Sequence, residues 1–354
     1  MTRPPGRGYC LFGAALLCIS LTAKADYAAG KAAFTATDYA TALSQWKSCA
    51  AQNDADCQNG LAILYLNGFG VAKNPDEAIK LLKQSADQGS PKAEFNLGRL
   101  YLDGDNLPKD VGQGVELLRL SAEKGYATAQ TMLGRCYYLG LGVDKDQARA
   151  VKWWQKAAEQ GDADGQRDLA AAYRLGAGIS RDEARAFEWY HKAAEQGLAS
   201  AQSELAFLYQ NGLGVSKNLE EAVKWYRSSA EKGYFLGQYN LAVLYQTGTG
   251  VTADKAIANQ WLQKAAETSR SGAERGDSDM LWVLGSVYAS PAFDKVDPVL
   301  ADVYLNLAAR AGSSAAAERA TQIEGALSVE QLRRVRQLVA GWNVGAPLPA
   351  NVHE

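Results

Sequence analysis

The sequence predicts an all-α fold in which helical hairpins stack into a solenoid. Two series of glycines and one series of tyrosines each recur with a period of 36 residues. Apolar residues between the glycines follow i, i+3, i+4 spacing, which is typical of amphipathic helices. A fixed period of this length indicates a repeat array. One glycine series is Gly89, Gly125, Gly161, Gly197 and Gly233, and the tyrosine series is Tyr65, Tyr101, Tyr137, Tyr173, Tyr209 and Tyr245.

The composition of the 354 residues excludes several classes of protein. Hydrophobic residues make up 47% and charged residues 21%, as in folded domains. The 37 Lys and Arg residues face 39 Asp and Glu residues, so the chain lacks the basic excess of nucleic-acid-binding proteins. With only 2 His, a histidine-rich metal site is not expected. We expect a folded protein with no metal, no cofactor and no nucleic-acid partner.

Residues 1–25 are expected to be a signal peptide. Arg3 and Arg7 give a basic start, an apolar stretch follows, and residues 23–25 (Ala-Lys-Ala) supply the small residues of a cleavage site. The apolar stretch is too short to span a bilayer as a helix, although a signal anchor is the alternative. The sequence therefore predicts a periplasmic or secreted mature chain that begins at Asp26 and has no membrane span.

Residues 201–234 show how one repeat is built. Leu205, Leu208 and Tyr209 share one face of a first helix, and an Asn-Gly-Leu-Gly segment ends that helix. A second helix follows and ends before Gly233. A single hairpin buries too little apolar surface to offset its conformational entropy. Stacked hairpins share a core, so the array is expected to fold as a solenoid.

The remaining elements follow in order along the chain. We expect an N-terminal capping hairpin, seven repeats with a seven-residue insertion near Thr268 to Glu274 before the last, C-terminal capping helices and a disordered tail. Ser328 and Gln331 form a capping-box pattern that predicts the start of the last helix. The expected bounds are 26–56 for the capping hairpin, 57–315 for the repeats, 316–342 for the capping helices and 343–354 for the tail.

The repeat resembles the Sel-one-like repeat family, a relative of the tetratricopeptide repeat. Two segments carry the resemblance most clearly, GVDKDQARAVKWWQKAAEQGD at 142–162 and GVSKNLEEAVKWYRSSAEKGY at 214–234. The resemblance covers roughly residues 57–315. It implies a right-handed superhelix of αα hairpins that presents the first helix of each hairpin along a concave surface.

Five cysteines must be placed. Cys10 and Cys18 would leave with the signal peptide. The spacing of Cys49 and Cys57 is similar to that of a cysteine-rich Helicobacter branch of this family, in which such pairs are disulfides. Both positions align with close-packed small residues, where a disulfide is sterically feasible. Two reduced core thiols are the alternative, which export disfavours. Cys136 aligns with leucines and is expected to be a buried thiol.

The search for catalytic residues gives no constellation. His191 falls at an exposed position of a second helix and His353 lies in the tail, so no Ser-His-Asp or Cys-His arrangement can be assembled. Ser44 and Lys47 form a Ser-x-x-Lys pattern without its usual companion motifs. We therefore expect no enzyme. The family resemblance implies one alternative, a weak β-lactam hydrolase or penicillin-binding protein like the cysteine-rich branch.

The candidate binding surface is the concave face implied by the resemblance. Counting from the small residue that starts each first helix, the third, seventh and tenth positions should point inward. Arginines and aromatic residues at these positions predict a clamp for carboxylates or phosphates. The alternative is that these are exposed charges that vary from repeat to repeat without binding anything. The expected function is an adaptor or regulator that binds another protein or peptide, or a cell-envelope assembly. The candidate residues are Phe95, Arg99, Arg135, Tyr138, Arg167, Arg174, Phe207 and Tyr239.

Overall fold

The computed structural model describes residues 26–350, and all regular structure in this range is α-helical. The predicted fold class is confirmed. The predicted signal peptide, with Cys10 and Cys18, lies outside the described residues, as does His353. The helices are α1 (26–35), α2 (Tyr39–Ala50), α3 (Ala55–Asn67), α4 (Pro75–Asp87), α5 (Pro91–Asp103), α6 (Val111–Glu123), α7 (Ala127–Leu139), α8 (Gln147–Glu159), α9 (Ala163–Leu175), α10 (Glu183–Glu195), α11 (Ala199–Asn211), α12 (Leu219–Glu231), α13 (Phe235–Thr247), α14 (Lys255–Glu274), α15 (Ser278–Tyr288), α16 (Pro298–Arg310), α17 (Ser314–Glu324) and α18 (Val329–Gly341).

The chain divides into two compact units. The N-terminal unit contains the residues up to Leu169 together with Ala177–Ile179, and the C-terminal unit contains Ala170–Gly176 and the residues from Ser180 onward. In the first, helices α2 to α8 pack successively, each on the next in the sequence. In the second, α10 to α17 do the same, and α18 packs on α16. Within each unit the core is therefore built from local hairpin contacts, as expected for repeats.

The first helix of most repeats ends at a glycine with a positive φ, a backbone conformation that residues with side chains rarely adopt. Gly212 ends α11 with a φ of 71°, and its N–H donates to the carbonyl of Leu208. Gly214, two residues later, has a φ of 70° and lies directly against the backbone of Glu183, the first residue of α10. A Cβ at position 214 would collide with that backbone. The Gly-x-Gly motif is therefore explained by loop geometry and by the close approach of a neighbouring helix.

Each second helix begins at an Asp or Asn whose side chain caps it. Asn218 accepts hydrogen bonds from the N–H groups of Glu220 and Glu221 at 3.1 Å. Its own N–H donates to the carbonyl of Tyr209, 2.9 Å away. The same bond links Tyr288 and Asp297 in hairpin α15–α16, so the predicted seventh repeat keeps this geometry. The tyrosine series thus marks the point where the chain turns from one helix into the next.

The two cysteines near the N-terminus form a disulfide, which confirms the expected pair. Cys49 in α2 and Cys57 in α3 have Cα atoms 5.8 Å apart. At the equivalent position of Cys49 in the next repeat, the Ser85 hydroxyl donates to the carbonyl of Ala55 at 2.7 Å. Cys136 is a buried free thiol, and burial raises the pKa of its thiol to about 11.

The predicted seven-residue insertion lengthens one helix without interrupting it. Helix α14 has 20 residues, whereas the other second helices from α4 to α12 have 13 each. Seven residues make about two helical turns, so the added segment keeps the buried face in register. Ser269 and Ala273 in this segment are fully buried. The insertion therefore extends the core of the C-terminal unit.

The C-terminal segment is ordered as far as residue 350, so the expectation of a disordered tail is wrong for 343–350. Leu348 is buried, and the Tyr304 hydroxyl donates to the carbonyl of Pro349 at 2.6 Å. The N–H of Gly345 donates to the carbonyl of Glu274 at 2.7 Å. Apolar residues spaced through the tail make packing contacts, which the short length of the segment did not suggest. The predicted capping box between Ser328 and Gln331 is present.

Candidate functional site

The first helices carry the residues predicted to bind a partner. At the seventh position of each repeat the side chains are half-buried or exposed, from Ile63 to Val243, and at the tenth they are half-buried, from Leu66 to Gln246. The third position differs, because Asn59, Thr131 and Ser203 there are buried. The accessible part of the candidate surface therefore consists mainly of the seventh and tenth positions, which we call the first-helix face.

Arg135 is held in place by two carboxylates within the N-terminal unit. Its Nε lies 2.5 Å from Asp168, and one terminal nitrogen lies 2.7 Å from Asp164. Arg167 approaches the same Asp168 at 2.6 Å. Burial disfavours the charged form of Arg135, but the attraction of Asp168 and then Asp164 outweighs it and raises the pKa of the guanidinium. The result is a cluster of two arginines and two aspartates between α7 and α9.

Two other candidate arginines also have carboxylate neighbours. Arg99 pairs with Asp103 one turn along α5, at 3.2 Å. In the C-terminal unit, Arg174 lies 3.6 Å from Glu204 of α11. Burial acts against its charge, and the opposing effect of Glu204 raises the pKa of Arg174. A partner carboxylate would therefore meet arginines whose charges are already partly balanced.

The four candidate aromatic residues separate into accessible and buried rings. Phe207 is 38% exposed on α11. Phe95 packs edge-on against Tyr126, and Tyr138 tilts against Trp154, each ring being half-buried. Tyr239 is only 8% exposed and packs edge-on against Trp282 of the following hairpin. Tyr239 therefore packs against its neighbour and does not form an exposed anchor. The reason is that an aromatic residue, Trp282, occupies the same repeat position in the next hairpin.

The repeat pattern does not reveal the carboxylates that hold Arg135 and Arg174. The repeat pattern relates each position to those 36 residues away, whereas the pairs of Arg135 and Arg174 join residues separated by 29 to 33 positions, such as Arg135 with Asp164 and Asp168. In these pairs the side chains of neighbouring first helices meet at a lag shorter than one repeat. Opposite charges at that lag would have been the signal.

The residues considered for catalysis do not assemble into a site. Ser44 and Lys47 are both exposed on α2. The His191 ring lies among Phe187 and Trp225, and its Nδ1 is 3.4 Å from Glu195 on the same helix. Within residues 26–350 no three His, Cys, Asp or Glu side chains group in a way that could hold a metal ion. Each helix of this range is too short or too polar to cross a lipid bilayer.

Comparison with known proteins agrees with the repeat architecture. The sequence model of the Sel1 repeat matches six consecutive segments, 55–90, 91–126, 127–162, 163–198, 199–234 and 236–267. The hairpin that follows the insertion is not among these matches. No curated protein sequence gives a significant match.

Solved structures of Sel1 repeat proteins are similar to this chain. A Sel1 repeat protein from Oxalobacter formigenes is 31% identical, with a TM-score of 0.62, over 68% of this chain and 96% of the other. A protective antigen of uropathogenic Escherichia coli with an SLR fold is 33% identical, with a TM-score of 0.56, over 83% of this chain and 69% of the other. The Helicobacter pylori cysteine-rich protein B is 21% identical, with a TM-score of 0.31, over 36% of this chain and 92% of the other. The Sel1 repeat model matches more than half of the length of this chain, so the chain belongs to the Sel1 repeat family.

Proposed function

We propose that the protein is an exported adaptor or regulator that binds another polypeptide through its first-helix face. Sel1 repeats commonly mediate protein–protein interaction, which supports the general class. The observation that carries the proposal is the arrangement of Arg135, whose side chain is 35% exposed and fixed by Asp164 and Asp168. Few degrees of freedom remain to be lost when such a side chain binds.

The chemistry of the fixed arginines favours carbonyl and carboxylate groups of a partner. A guanidinium has five N–H donors, and the contacts of Arg135 with the two aspartates use its Nε and one terminal nitrogen. The remaining donors can reach polar groups of a bound chain. Exposed Phe207 would add an apolar anchor in the C-terminal unit. Arg135 in the N-terminal unit and Phe207 in the C-terminal unit are thus separate candidate contacts.

The proposed periplasmic location rests on two features. One is the signal-like segment 1–25, and the other is the Cys49–Cys57 disulfide, which persists mainly outside reducing compartments. N-terminal sequencing of the protein recovered from the periplasmic fraction should begin at Asp26. A soluble protein that retains Met1 or Thr2 would contradict export with cleavage.

Photo-crosslinking tests the binding role in the C-terminal unit. A photoreactive phenylalanine analogue at position 207 should crosslink to a specific envelope protein, and the Arg174→Ala variant should reduce that crosslink. The matched control places the analogue at exposed Val329 in α18, where no crosslink is expected. Equal crosslinking at both positions, or none at 207, would contradict the proposal.

A further inference from the structure

Helix α8 differs in charge from its counterparts in neighbouring repeats. It contains three basic residues and one acidic residue. The equivalent helices α4, α10 and α12 each contain two basic and three acidic residues. Helix α6 contains one basic and two acidic residues. Since the repeat fold is the same in each case, core packing does not require the excess of positive charge in α8.

The cations of α8 lie on one side of the helix. Arg149, Lys152 and Lys156 follow i, i+3, i+7 spacing, which places them in a stripe about 10.5 Å long. All three are exposed, as is Lys145 in the preceding loop. Within the described part of the chain, neither Lys145, Lys152 nor Lys156 forms an ion pair, while Arg149 pairs with its capping neighbour Asp146 at 3.1 Å.

An aromatic ring lies inside this stripe. The half-buried Trp153 side chain has the Lys156 ammonium 4.3 Å from its ring centroid. An open cavity of about 410 Å³ surrounds it, lined by the stripe together with Gln155 and Glu159. A second open cavity of about 770 Å³ adjoins at Arg149 and includes Arg119 and Lys145. We call Lys145, Arg149, Lys152, Trp153 and Lys156 the α8 basic face.

We propose that the α8 basic face docks an acidic segment of another polypeptide. The inference goes beyond the proposed first-helix site because these residues lie on a second helix and in the loop before it. Charge complementarity identifies the occupant, since three lysines without carboxylate partners attract carboxylates without displacing existing ion pairs. The cavity beside Trp153 would receive an apolar side chain of the same segment.

The dimensions of the face favour a polypeptide segment over an extended anionic surface. The stripe is one helix wide and matches acidic residues spaced i, i+3, i+7 on a partner helix. The equivalent face of α10 has Arg185, Trp189 and Lys192 but carries Glu188 where α8 has Lys152. A lipid surface or a long anionic glycan would engage several repeats, and the excess of acidic residues in the equivalent helices opposes that.

Binding of a designed acidic peptide tests the proposal. The probe is a fluorescein-labelled helical peptide of 15 residues with Glu at i, i+3 and i+7 around one Phe, titrated with the mature protein by fluorescence anisotropy. Arg149→Glu with Lys156→Glu should weaken binding about tenfold or more. The single change Lys152→Glu, which gives α8 the residue of α10, should weaken it in the same direction. Raising the salt to 1 M should reduce binding by screening.

The repeat supplies a control matched in position and in charge. Arg185→Glu with Lys192→Glu makes the same two changes on α10, where both side chains contact the same kinds of ring, Tyr173 and Trp189. Binding of the probe should change less than about twofold in this variant. Unchanged circular dichroism spectra would show that each variant is folded, and Arg135→Gln should leave probe binding intact, which separates this face from the first-helix face.

Three results would overturn the inference. One is equal weakening by the α8 and α10 variants, which would indicate an effect of net charge alone. Another is no measurable affinity of the wild-type protein for the peptide. The third is tighter, α8-dependent binding of heparin or of vesicles containing 30% phosphatidylglycerol, which would assign the face to a glycan or a membrane instead.

Discussion

The ammonium group of Lys124 lies 2.5 Å from a carboxylate oxygen of Glu94, whose side chain is almost fully buried. Neighbouring repeats place two glutamines at the equivalent positions. Gln88 donates to Gln58 at 2.8 Å, and the same bond joins the next such pair, Gln160 and Gln130. One repeat has therefore replaced a neutral amide pair by an ion pair while keeping the geometry.

Removing the lysine should destabilise the protein, because the buried carboxylate would lose its partner. Lys124→Met should lower the free energy of unfolding by about 1–3 kcal/mol, because Glu94 would remain buried without its partner. Urea denaturation followed by circular dichroism measures the change. The double variant Glu94→Gln, Lys124→Gln restores the pair used elsewhere and should recover most of the loss. A double variant no more stable than Lys124→Met would contradict this account.

The pair Gly134 and Trp154 predicts a second compensating effect. The Trp154 indole is buried and donates to the carbonyl of Thr131 at 3.2 Å, and a Cβ at Gly134 would lie only 2.5 Å from its Nε1. Gly134→Ala should therefore destabilise the protein by about 1–3 kcal/mol. Adding Trp154→Leu, the residue of the two preceding repeats (Leu82 and Leu118), should relieve the clash and recover part of that loss.

The control for this prediction is another helical glycine. Gly112 is exposed on α6, and a Cβ there would make only an ordinary contact with Asp110. Gly112→Ala should be neutral or stabilising by up to about 1 kcal/mol, because alanine favours a helix. If both alanine variants lose stability equally in thermal melts, steric conflict with Trp154 is not the cause.

Reduction of the disulfide gives a third prediction. In the mature chain, unfolded but unreduced protein should titrate one thiol, Cys136; a count of three would exclude the Cys49–Cys57 bridge. Breaking a bridge that closes a loop of this length should cost about 2–3 kcal/mol in the chain-entropy account. The Cys49→Ser, Cys57→Ala variant places the residues of the next repeat at both positions, so it should still fold.

Repetition made most of the fold predictable from the sequence. The glycines at 36-residue intervals end helices, and the longer spacing after Glu267 coincides with the 20-residue helix α14. These local sequence requirements recur in each repeat. The ordered segment 343–350 was missed because it occurs once and is held by contacts with α14 and α16, which are distant in sequence.

The candidate site was less predictable than the fold. The family likeness predicted that the third, seventh and tenth positions point toward a concave surface, but burial at the third position depends on the neighbouring repeat, as Tyr239 against Trp282 shows. The charge balance of Arg135 likewise depends on Asp164 and Asp168 in the next first helix. Such contacts arise between repeats, so a pattern read within one repeat does not contain them.

Shortening the C-terminus should loosen the end of the C-terminal unit. Removal of residues 344–354 deletes buried Leu348 and the carbonyl that accepts from Tyr304. Burial of one leucine contributes about 1.5–3 kcal/mol, so amide hydrogen exchange in α16 should become faster. Removal of 351–354 alone is the control and should leave exchange in α16 unchanged. Unchanged exchange in the longer deletion would show that the segment adds no stability.

Asp302 predicts a pH dependence in the same unit. Its carboxyl is fully buried in α16, where burial, reinforced by the charge of Glu324, raises its pKa to about 7 despite a hydrogen bond from Asn306. The unfolded chain has an ordinary pKa near 4. Between these values the folded state binds the proton more tightly, so stability is highest below about pH 4 for this group and falls as the pH rises to 7, by at most about 1.4 kcal/mol per pH unit.

The Asp302→Asn variant tests this sign directly. Asparagine keeps a carbonyl oxygen that can accept from Asn306 but cannot ionise, so the stability advantage of the variant over the wild type should be clearly larger at pH 8 than at pH 5. Urea denaturation at the two pH values gives the comparison. Asp294→Asn, at a position that pairs with Gln263 near the surface, is the control and should not change the pH dependence. A wild-type protein that gains stability relative to Asp302→Asn between pH 5 and 8 would show that the buried carboxyl ionises without cost.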